Sequence, residues 1–104
     1  MEEEKKVGEM ISICRQLIAE DGAKEVQHFY DQGEFEMAFE GLVLELISAD
    51  VAPSDISYGE WIALGKALKL DEESIFVGDF WDKFLNWTNL HMGSDSGSDK
   101  GFKG

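Results

Sequence analysis

The segment GEFEMAFEGLVLELIS, residues 33–48, decides the architecture, because it is apolar on two separate sides. Phe35, Ala38, Phe39, Leu42, Val43, Leu46 and Ile47 recur at the i, i+3, i+4, i+7 spacing of one helical stripe. Met37, Gly41, Leu44 and Ser48 form a second stripe of small or apolar residues on the opposite side. A surface helix needs one buried face, so two stripes predict a central helix, residues 34–48, clasped between neighbours. Glu36 and Glu40 fall on one flank and Glu34 and Glu45 on the other, where the spacing points them outward from the packing seams. Like charges at i, i+4 slightly destabilise a helix, so the Glu36/Glu40 pair is a cost carried by the best-defined segment and hints at use in binding.

Around that helix the chain offers 104 residues, enough for one domain with one modest core, and its 43% hydrophobic content excludes wholesale disorder. Twenty-two acidic residues against nine basic ones give a formal charge of −13. Such a charge repels nucleic acid and anionic membrane and steers encounter with basic proteins. From Glu25 to Asp82 the imbalance sharpens to fourteen acids against two bases, Lys66 and Lys69. The competing reading of the same numbers is a soluble, self-repelling surface. The acidic N-terminal segment lacks the apolar core of a signal peptide and no run is long enough to span a bilayer, so a cytoplasmic location is expected. The lone Cys14 stands at an apolar position of a helical pattern, which excludes an intrachain disulfide and a CxxC site and predicts a small core residue.

Along the chain, residues 2–20 read as a first helix with Val7, Met10, Ile11, Cys14, Leu17 and Ile18 on one stripe, ended by Asp21-Gly22. A short helix over 23–31, closed by Gln32-Gly33, leads into the central one. Residues 50–55 contain Pro53 and read as a loop. Ser57 and Glu60 have capping-box spacing and open a helix expected to reach Lys69. Asp71 can cap a shorter helical segment through Val77, with Ser74 to Val77 as the one stretch that reads as extended instead, and Asp79 a last helix to Leu90. Trp61, Phe76, Phe80, Trp81, Phe84 and Trp87 then form an aromatic core for the C-terminal half. The expected fold is all-α, a compact bundle of about five helices over residues 1–91, with residues 92–104 as a flexible Gly/Ser/Asp tail.

Enzymatic chemistry is not signalled. His28 and His91 have no ligand or nucleophile spacing, and HExxH, GxSxG, a phosphate-cradling glycine loop and CxxC are all missing from the sequence. Asp95 to Asp99 lacks the twelfth-position glutamate and the flanking helices of a calcium loop, so no metal or other cofactor is expected. Aromatics can stack single-stranded nucleic acid, but only beside a basic groove that this chain lacks. The exposed acids expected to contact a protein partner are Glu34, Glu36, Glu40 and Glu45 of the central helix, with Asp31, Asp50, Asp55 and Glu60 on adjoining segments.

From Phe29 to Leu42, FYDQGEFEMAFEGL, the chain resembles the small immunity proteins of the MafI and related CdiI groups. The matching positions are Gly33, Glu34, Phe35, Ala38, Glu40, Leu42 and Leu46, followed by Ile56-Ser57, Glu60 and the Trp-rich stretch from Phe80 to Trp87. The resemblance covers residues 26–88. It implies a bacterial, non-enzymatic inhibitor that binds the C-terminal domain of a cognate polymorphic or contact-dependent growth-inhibition toxin. Many such domains are nucleases with basic substrate surfaces, which an acidic inhibitor matches by the electrostatics of the nucleic acid it displaces. The rival reading is an acidic helical carrier or adaptor domain, although a carrier needs an Asp-Ser site opening a helix and the only Asp-Ser, Asp95-Ser96, lies in the tail.

Overall fold

The computed structural model describes residues 2–91, and the tail expected over 92–104 lies outside them. The described chain is all-helical: α1 (Glu2–Cys14), a 3₁₀ turn (Arg15–Leu17), α2 (Glu20–Asp31), α3 (Phe35–Ala49), α4 (Tyr58–Ala67) and α5 (Phe80–His91). Helix α3 packs against α1, α2 and α5, as its apolar periodicity requires. Ala38, Phe39, Leu42, Val43 and Leu46 are buried along its main stripe. Its second stripe is covered less completely, with Met37, Gly41 and Leu44 half-buried and Ser48 exposed.

Aromatic rings fill the space between α3, α4 and α5. Phe39 lies 5.8 Å from both Trp61 and Phe84, and Trp61 meets Trp87 edge-on at 5.0 Å. Gly65 admits this approach of α5 to α4, since a Cβ there would sit 2.9 Å from the Trp81 ring and 3.1 Å from that of Phe84. Trp87 also donates from Nε1 to the Val51 carbonyl at 2.8 Å, tying α5 to the loop after α3. The Trp61 Nε1–H is buried without an acceptor among the described residues, a cost of about 1–3 kcal/mol set against the burial of the whole ring.

Three helices stop in the same way. The amide of Glu34 donates to Phe29 O, that of Val51 to Leu46 O, and that of Leu70 to Gly65 O. Each bond reaches back five residues past a left-handed residue: Gly33 at φ 80°, Asp50 at φ 56° and Lys69 at φ 64°. The capping box at α4 forms as its spacing predicts, with Glu60 N–H donating to Ser57 Oγ at 3.2 Å and Ser57 N–H to the Glu60 carboxylate at 3.1 Å.

Three sequence expectations give way. The first helix ends at Cys14 rather than Glu20, because Leu17 and Ile18 turn onto the core through a 3₁₀ turn and an extended Ile18. Gly22 is not a stop but part of the first turn of α2, where the Glu45 carboxylate packs so closely that a Cβ would meet its Cδ. No helix forms over 71–77: the amides of Ile75, Phe76 and Val77, which a helix opened at Asp71 would use internally, are taken by a side chain of α3.

Candidate functional site

That side chain is Glu40. Its Oε1 accepts from Ile75 N–H at 2.8 Å, and its Oε2 from Phe76 N–H at 2.8 Å and Val77 N–H at 3.1 Å. Three consecutive backbone amides converging on one carboxylate form a small anion nest, filled from within by the chain itself. Glu40 has 0% exposure, and charge-assisted bonds of this length offset the cost of removing a carboxylate from water.

The expectation that Glu40 points outward to a partner is therefore corrected. The i, i+4 spacing with Glu36 placed it on a flank, but the flank is roofed by residues 75–77, so its charge fixes the fold. Reversing Glu40 would break the loop instead of reporting on an interface. Phe76 is corrected in the same way: it leaves the aromatic core and stands 45% exposed beside the equally exposed Ile75, on a loop held from behind by Glu40.

The other candidate acids divide into groups. Asp31, Glu34 and Glu36 are exposed around the turn between α2 and α3, with Asp31 accepting from Gln27 Nε2 at 2.9 Å. Glu45 is half-buried over Gly22. Asp50 and Asp55 are exposed beyond the far end of α3, and Asp50 Oδ1 lies 3.1 Å from His91 Nε2. Fourteen residues of helical rise separate Glu36 from Asp50, about 21 Å, so one compact patch does not collect all eight. Glu60 is occupied structurally: its capping bonds with Ser57, with a smaller contribution from Lys6 Nζ at 3.4 Å, hold its carboxyl below the usual glutamate range.

Burial pushes the Cys14 thiol up to about 12, leaving it protonated. Among the described residues no group of three His, Cys, Asp or Glu side chains is placed to hold a metal ion. A depression of about 600 Å³ beside the loop after α3 and the start of α4 includes His91 and Ser57, but Ser57 Oγ already caps α4. No described helix is long and apolar enough to cross a membrane.

The sequence reading missed Glu25, Phe29, Gly41 and Phe76 as surface-forming residues. Gly41 carried a signal as the smallest member of the second stripe of α3, and Glu25 as the first acid of the stretch from 25 to 82. Comparison with family models, with curated proteins and with solved structures finds no match to the chain.

Proposed function

We propose that this chain is a non-enzymatic inhibitor that binds a basic protein domain through an acidic face, an immunity factor acting on the C-terminal domain of a cognate toxin. The observation that carries the reading is the charge of residues 25–82, fourteen acids against two bases, with Asp31, Glu34 and Glu36 displayed to solvent around the start of the central helix. Charge of one sign on a rigid support speeds association with its complement and disfavours partners of like sign. Glu20 pairs with Lys24 at 3.7 Å and Glu60 with Lys6 at 3.4 Å, which favours Asp31, Glu34 and Glu36 as the acids that face a partner. The toxin as partner rests on the resemblance of residues 26–88 to immunity proteins.

Co-expression tests this reading. The chain should protect a bacterial host from the toxic product of the gene beside its own and should co-purify with that product. Absence of both protection and binding removes the immunity assignment.

A further inference from the structure

Between α2, α3 and the 75–77 loop lies a cup of about 240 Å³. Gly41 forms its floor, Val26 and Leu44 its aliphatic sides, and Phe29 and Phe76 its aromatic wall, with ring centroids 5.6 Å apart. Glu25 of α2 and Glu45 of α3 complete the lining. The cup is smaller than the roughly 300–1,000 Å³ of sites for drug-sized ligands, so it suits one side chain of a protein better than a small molecule.

From this geometry we infer that the cup receives a single arginine or lysine side chain of a basic partner protein, an inference that rests on the proposed binding role and names its anchor. Long cationic side chains bury an apolar stem and keep a charged head near polar groups, a division that matches a lining of Val26 and Leu44 together with two acidic residues. An aromatic wall adds cation–π attraction, strongest for a planar guanidinium. Charge complementarity selects the occupant, because an apolar side chain would bury the approaches to Glu25 and Glu45 without satisfying them. The wall is also held in place before binding: Glu40 bonds the backbone of Phe76 itself, so little ordering is left to be done on docking.

The full chain, isotope-labelled and followed by amide NMR, is titrated with N-acetyl-arginine methylamide, and in parallel with its citrulline analogue, which has nearly the same shape and no charge. The arginine probe should give saturable shifts at Gly41, Leu44, Glu45 and Phe76, and the citrulline probe should not. Phe76→Ala removes one aromatic face and should weaken the probe about two- to thirtyfold. Gly41→Ala keeps the fold, since its Cβ would meet Val26 Cγ2 at 3.5 Å and Phe76 Cε2 at 4.0 Å, and the added methyl should weaken binding by raising the floor. Equal response to citrulline, shifts spread evenly over all acidic segments, or unchanged affinity in both variants would overturn the cup. If the adjacent gene's product binds the parent and Phe76→Ala equally well, the cup fails while the inhibitor reading stands. If that product does not bind but arginine saturates the cup, the cup stands and the immunity assignment fails.

Discussion

Replacing Glu40 by Gln is close to isosteric and removes half of what the carboxylate does. One oxygen remains to accept, while the amide nitrogen, itself a donor, confronts amide N–H groups at one end of the nest. If the oxygen stays toward Phe76 and Val77, the bond from Ile75 is lost; if it turns the other way, the other two are lost. Hydrogen bonds to a charged group are worth about 1.5–3 kcal/mol each, so the loss should be about 2–3 kcal/mol, and more if the loop detaches. For a domain of this size each kcal/mol moves Tm by about 4–8 °C, giving a fall of about 8–24 °C. Urea and thermal unfolding measure the loss, and hydrogen exchange should show faster exchange at the amides of Ile75, Phe76 and Val77. Glu36→Gln, one turn earlier and exposed, is the control and should stay within about 0.5 kcal/mol of the parent. A Glu40→Gln protein with parental stability and unchanged protection at those three amides would refute the keystone role of Glu40.

Leu42 is fully buried on α3, and Leu42→Ala should cost about 2–5 kcal/mol in urea unfolding. Lys69→Gly should instead stabilise by about 1 kcal/mol in the same assay, because Lys69 stands at φ 64°, where a side chain costs about 1–2 kcal/mol and glycine does not. The Cys14 thiol is raised to about 12 in the fold, so the unfolded chain loses its proton first, and unfolding free energy should decline as pH rises from about 9 toward 12. At pH 8 iodoacetamide should modify Cys14 only as fast as the protein opens.

The main helical signals were legible because they are local or periodic: the dominant stripe of α3, the Ser57/Glu60 box, and the apolar residues of α1. What escaped depends on contacts distant in sequence. Glu40 reads as a surface acid from its neighbours alone, since nothing near it shows that residues 75–77, thirty-five or more positions later, will bring their amides to it. The same contact explains why Asp71, a sound cap by composition, opens no helix. Glycine is the local signal for a left-handed stop, yet two such stops use Asp50 and Lys69, and Gly22 serves to admit Glu45 instead. At the surface the excess of acid was readable, but its division between the start of α3, the loop beyond its end and the α4 cap was not, because spacing along one helix does not show which flank another segment covers.

The inhibitor reading is tested most directly by the rate at which the chain associates with the product of the adjacent gene, measured by stopped flow across ionic strength. An acidic face docking on a basic domain predicts fast association at low salt, up to about 10⁸–10⁹ M⁻¹s⁻¹, falling steeply as salt is added. Reversing Glu25 and Glu36 together should slow it and flatten the salt dependence while leaving unfolding nearly unchanged, since both are exposed. A parent rate indifferent to salt, or a double reversal that binds as fast as the parent, would contradict the acidic-face mechanism.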